Sequence, residues 1–90
     1  MEQIEYAKSM IERNDLSGAI SLLNEIIAAD EADDEALFLR GMAYWKLGDR
    51  ARATTDYASA VAVNPSSKAA MALEMARDVE SFFNSDLMNP

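Results

Sequence analysis

Leu37-Phe38-Leu39-Arg40-Gly41-Met42-Ala43-Tyr44-Trp45-Lys46-Leu47-Gly48-Asp49 is the stretch whose reading decides the fold. Its apolar residues recur three and four apart, with no period-two alternation, which is the pattern of a helix. That helix is expected over Asp34–Leu47. Gly48 tolerates positive φ and so can end it, and Asp49 can cap the next one. Downstream, a helix over Arg50–Val63 is stopped by Asn64-Pro65, because a residue before proline is pushed out of the α region. Ser66 or Ser67 can then cap a last helix over Ser67–Asn84. Upstream, Gln3–Arg13 and Ser17–Ala29 flank Asn14-Asp15, which repeats the punctuation of Gly48-Asp49. Short connections imply antiparallel neighbours.

The repetition has a fixed period. An offset of 34 places Ala7 on Gly41, Met10 on Tyr44, Asn14-Asp15 on Gly48-Asp49, Ala19 on Ala53, Leu23 on Tyr57 and Ile27 on Val61. Small residues fall on small ones and large on large, as expected where the helices of a hairpin approach closely. Ala7 or Gly41 would face Ala19 or Ala53, with Tyr44 and Tyr57 filling the wider gaps.

The quoted stretch, continued by Ala53, Tyr57, Ala60 and Asn64-Pro65, closely resembles a tetratricopeptide repeat. The first unit matches more loosely: Ala7, Asp15 and Ala19 agree, but Gln3, Ile26 and Glu31 depart from the pattern. The resemblance implies an all-α fold of antiparallel helix hairpins. Two such units and a capping helix make five helices in a short right-handed superhelix. The division expected is a degenerate first repeat (1–33), a well-matched second (34–65), a cap (66–84) and a tail (85–90), together a complete short array. The repeat-packing residues are Ala7, Ala19, Gly41, Tyr44, Gly48, Ala53, Tyr57, Ala60 and Pro65. Ala72, Met75, Ala76, Val79 and Phe83 are expected as the stripe by which the cap covers the second repeat. Glu74 and Asp78 fall where Arg40 and Tyr44 stood, and a charged pair there argues against a further packed helix. Leu87 and Met88, with Phe82 and Phe83, are expected to fold back onto the domain, the alternative being a displayed docking peptide.

Composition excludes most chemistry. The chain has 90 residues, 16 acidic and 8 basic, with no histidine and no cysteine. It has room for one domain that buries roughly 60–65% of its unfolded surface, too little for a deep enclosed active site. Missing cysteine removes disulfides, thiolate zinc sites and thiol nucleophiles, and it fits a cytoplasmic protein. Missing histidine removes the commonest general base and metal ligand. The three glycines stand alone, so there is no phosphate-binding loop. An enzyme is not expected, nor a cofactor. A net charge of −8 disfavours nucleic acid. The longest uncharged run, Tyr57–Ser67, is 11 residues, against about 20 for a membrane span. Met1-Glu2-Gln3-Ile4-Glu5 leads with acid, unlike a secretory signal.

Residues 1–35 hold ten acids and two bases, so they carry the whole net charge. The densest run, Asp30-Glu31-Ala32-Asp33-Asp34-Glu35, lacks the alternate spacing and the glycine of a calcium loop. It reads instead as a loop entering a helix whose first turn favours acids. Arg40, Lys46, Arg50 and Arg52 cluster on the second unit, as a solvated face or as a dock for an acidic peptide or the acidic half of another copy.

In the resembled family the first helices line a concave groove that holds a peptide or a partner's helix. Carried onto this chain, the groove comprises Ile4, Lys8, Ile11, Phe38, Met42, Trp45 and Lys46, edged by Glu12 and Glu35. Ala72, Ala76 and Val79 close it with small side chains. Phe38, Met42 and Trp45 stack along one helix face. Whether Phe38 and Trp45 are groove or core stays open. Only Lys8 survives of the basic clamp by which some members hold chaperone tails. Protein or peptide binding is thus the expected function, with homodimer formation through the groove or the apolar tail as the alternative.

Overall fold

The helices begin where a short polar side chain can take up an otherwise unpaired N–H. Asp15 accepts from Gly18 N at 3.1 Å, Asp33 from Ala36 N at 3.0 Å and Asp49 from Arg52 N at 3.1 Å. Each such cap stabilises its helix by about 1 kcal/mol. The computed structural model describes residues 2–83, with side-chain surroundings given through residue 79. The expectation that Phe82, Phe83, Leu87 and Met88 fold back, or are displayed, concerns side chains after residue 79 and lies outside what is described. Five helices and no strands are found among the described residues: α1 (Glu2–Glu12), α2 (Leu16–Ala29), α3 (Asp34–Lys46), α4 (Arg50–Val63) and α5 (Ala69–Phe83). Asn14 at φ 66° and Gly48 at φ 86° turn the chain between the helices of each hairpin. The fifth helix starts two residues later than the sequence suggests. Asn64 Oδ1 accepts from Ser66 N at 3.0 Å and holds a turn, and the buried Ser67 Oγ then accepts from Ala69 N at 3.1 Å.

The acidic run is divided among separate tasks. Asp30 accepts from Ala32 N, Asp33 caps α3, Asp34 accepts from Asn64 Nδ2 at 3.2 Å, and Glu35 pairs with Lys8 at 3.0 Å. Among the described residues no three carboxylates converge to hold a metal ion.

Packing follows chain order, with α1 on α2, α2 on α3, α3 on α4 and α4 on α5, while α1 also touches α3. One core joins Ala7 and Ile11 of α1, Leu16, Ala19 and Leu23 of α2, and Ala36, Leu39 and Ala43 of α3. The second joins Leu37 of α3, Ala53, Tyr57 and Ala60 of α4, and Ala69, Leu73 and Ala76 of α5. The cap stripe differs from expectation. Ala69, Leu73 and Ala76 are buried, Ala72 and Val79 half-buried, and Met75 is 63% exposed. Burying Leu73 costs less side-chain entropy than burying an unbranched methionine. The helix is turned accordingly.

Ala7, Ala19 and Ala53 are wholly enclosed, and Gly41 is buried. A Cβ at Gly41 would stand 2.6 Å from Tyr57 Cε1 and 3.3 Å from Ala53 O, so only glycine fits. Burial in turn pushes the Tyr57 phenol above its ordinary pKa, with the neighbouring Asp56 charge adding to the effect. Gly48 and Pro65 are exposed, and they shape turns.

Arg40 is not a surface base. Its Nε and Nη2 donate to Asp56 Oδ2 and Oδ1, both at 2.8 Å, and its Nη1 donates to Asn24 Oδ1 at 2.9 Å. One planar guanidinium thus ties α2, α3 and α4 together. The Asp56 side chain is 6% exposed, and its hydrogen bonds raise the Arg40 pKa against the opposing effect of burial.

Two outcomes are expected. Gly41→Ala gains about 1 kcal/mol of helix propensity but overpacks the contact by about 1–3 kcal/mol, for a net loss of stability. In a Tyr57→Leu background, which recreates the Ala7–Leu23 pairing of the first hairpin, the same substitution should become neutral or stabilising in urea unfolding. Asp56→Ala strands a half-buried cation and should cost about 2–3 kcal/mol, whereas Arg40→Met with Asp56→Leu should recover most of the loss.

Candidate functional site

Helix α3 borders hollows walled by α1 on one side and by α5 on the other. Its residues divide by direction. Ala36, Leu39 and Ala43 face α1 and α2, while Leu37 and Gly41 face α4. Phe38, Met42 and Trp45 are left half-buried on the remaining side.

Lys8, Ile11 and Glu12 of α1 meet Phe38, Leu39 and Met42 of α3 around a cavity of about 300 Å³, with Lys68 at its mouth. Phe38 and Lys68 also border a cavity of about 310 Å³ with Asp34, Glu35, Asn64, Ser66 and Ser67. Farther along α3, Trp45 and Tyr57 face Ala72, Met75, Ala76 and Val79 across a third cavity, again about 300 Å³ and mainly apolar. Together these hollows run along α3 from its N-terminal end to Trp45.

Phe38 and Met42 pack against both core clusters, and the Phe38 ring lies 6.0 Å from that of Tyr57. Trp45 packs on the second cluster, with the Arg50 guanidinium 5.5 Å from its ring centroid. Each ring therefore packs on buried core and also borders a hollow. Arg52 lies 5.8 Å from the half-buried Tyr44 ring and pairs with Asp49 at 2.9 Å. The basic cluster is thus spent largely on local contacts. Lys8 bridges Glu35 at 3.0 Å and Glu5 at 3.5 Å. The hydrogen bond and charge of Glu35, then the charge of Glu5, raise its pKa.

Not every expected groove residue shares this face. Ile4 borders a separate hollow with Gln3, Glu25, Ile26, Ala29, Asp30 and Asp33, because α1 leans that end of its apolar stripe onto α2. Lys46 is exposed in the last turn of α3, where a cation suits the helix dipole. Ile11 does border the cavity with Phe38 and Met42, but at 3% exposure it belongs mainly to the first core. Two wall residues escaped the sequence reading. Met75 was expected underneath α5, although its four-residue spacing from Val79 was a signal that they share a wall. Lys68 is carried to the mouth by the turn after Pro65, for which the sequence holds no spacing signal.

A family model described as Tetratricopeptide repeat matches residues 34–67, which span α3, α4 and the turn into α5. The solution NMR structure of a Bacteroides fragilis protein is similar to the whole fold, with a TM-score of 0.88 and 38% sequence identity over 99% of this chain and 91% of that one. The chain belongs to the tetratricopeptide repeat family. No curated protein matches it. Tetratricopeptide repeats are scaffolds that generally mediate protein–protein interaction and are generally non-catalytic. Among the described residues, no helix of this repeat protein is long and apolar enough to cross a membrane.

Because Phe38 touches both cores, Phe38→Ala should destabilise the repeat array by about 2–4 kcal/mol, a fall in Tm of roughly 10–20 °C for this size. Hydrogen exchange should quicken in α1–α2 and in α4 alike. A melt unchanged within a degree would show the ring to be groove lining alone.

Proposed function

We propose that this protein is a non-catalytic interaction module that takes an apolar peptide or a partner's amphipathic helix along the concave face of α3. The observation that carries the reading is the unbroken row of half-buried Phe38, Met42 and Trp45 between two helical walls. Large side chains already ordered by the core lose little entropy on binding, which suits them to anchor a partner. Lys8 is held by two carboxylates, which disfavours a ligand that depends on a free basic clamp. The proposed organisation is two repeats, 1–33 and 34–65, with 66–84 as a cap. A cytoplasmic setting is proposed from the absence of cysteine.

The test uses peptides selected from a random helical display library on the full chain. Ala72→Arg should plug the groove from the α5 wall with little loss of stability. It should weaken selected peptides roughly tenfold or more, equivalent to about 1.4 kcal/mol. Ala62→Arg, on an exposed face of α4, should leave binding unchanged. Trp45, the sole tryptophan, reports occupancy by its emission. Equal effects of both variants would remove the groove reading. Emission that instead changes on dilution of the protein alone would favour the homodimer.

A further inference from the structure

The 34-residue period does not stop at α4. It places Met71, Glu74, Met75 and Asp78 of α5 on Leu37, Arg40, Gly41 and Tyr44 of α3. In α3, Leu37, Arg40 and Gly41 form the face that receives α4: Leu37 packs with Ala53, Tyr57 and Ala60, Gly41 admits the Tyr57 ring, and Arg40 grips Asp56. In α5 no described helix covers the corresponding face. Met71 is 73% and Met75 63% exposed, and Glu74 and Asp78 are exposed without an ion pair to any described residue. Nor can the preceding helix satisfy Glu74, because the position equivalent to Asn24 is Ala58.

A charge at this register suggested from sequence that no further helix could pack there. Arg40 overturns that argument, since it is itself a charge at this register, packed against a second helix by virtue of an opposite partner. The face of α5 differs from that of α3 in two inverted properties. The cation becomes an anion at Glu74, and the missing side chain becomes a large flexible one at Met75.

We propose that the Met71–Met75 face of α5 docks a helix from a partner protein whose chemistry is the inverse of α4, with a basic residue against Glu74 and a small residue against Met75. The site is distinct from the concave groove, although Met75 borders both. Charge complementarity selects the partner, and the α3–α4 contact supplies the geometry.

The probe is a synthetic peptide with the sequence of residues 49–64 carrying Tyr57→Ala, made with and without Asp56→Arg. It is titrated into the full chain and into its Glu74→Arg variant while the methionine methyl resonances are followed. The wild-type protein should prefer the peptide with Asp56→Arg by roughly tenfold, with shifts at Met71 and Met75. Glu74→Arg should reverse that preference. The same preference in both proteins would mean general attraction to an acidic chain and would overturn the proposal. So would shifts centred on Met42, or Met71 and Met75 resonances that move on dilution of the protein alone, which would put a second copy on the face.

Discussion

Helices α3 and α4 reach their separation because residue 41 has no side chain. The Tyr57 ring occupies the space a Cβ would need, and the backbone of Ala53 lies just beyond it. Close approach buries Leu37, Ala53, Tyr57 and Ala60 together, and α5 is laid on the result through Ala69, Leu73 and Ala76. A side chain at 41 would move the ring, and the ring supports Phe38 as well as α4. The same contact in the first hairpin is solved differently, with Ala7 and Ala19 enclosed and Leu23 in place of the ring. Volume is exchanged across the contact and its sum is roughly kept, which is how packed interiors tolerate change.

With one side of α3 committed to α4 and another to α1 and α2, geometry leaves a single direction for Phe38, Met42 and Trp45. A helix presents about three such directions, so the side on which these residues lie is fixed once the other two are filled. Arg40 lies at the seam between the committed sides and binds Asn24 and Asp56 at once, which fixes the angle between successive second helices. The hollows along α3 are therefore lined largely by side chains that the fold has already immobilised.

Much of this was legible in the sequence because it is local. Asp15 and Asp49 had to cap helices, Asn14 and Gly48 had to turn the chain, and small residues recurring at 34 had to mark close contacts. The parts that were not legible depend on partners far apart in sequence. Nothing in the chain joins Arg40 to Asp56 and Asn24, so Arg40 reads as one more exposed base. The rotation of α5 buries Leu73 and leaves Met75 exposed, a choice favoured by side-chain entropy that periodicity does not register. Leu73 was nonetheless within reach, because the period places it on Leu39. Lys68 owes its position to the turn after Asn64-Pro65, whose direction is set by hydrogen bonds of Asn64 to Asp34 and Ser66.

The net charge acquires a different meaning once its members are located. Ten acids in the first 35 residues look like a surface for a basic ligand. Six of them instead cap helices, close turns or pair with Lys8 and Asn64, so their charge is partly answered within the fold. By that standard the informative acid is Glu74, which lies outside the acidic segment. At its register the preceding unit carries a paired cation between two helices, and here, among the described residues, Glu74 has no ion pair and the position of Asn24 is taken by Ala58. A repeat scaffold reuses one contact geometry, so a position where size and charge are both inverted departs from the unit's self-complementarity. It is there, more than in the overall acidity, that the chain's surface specifies something other than itself.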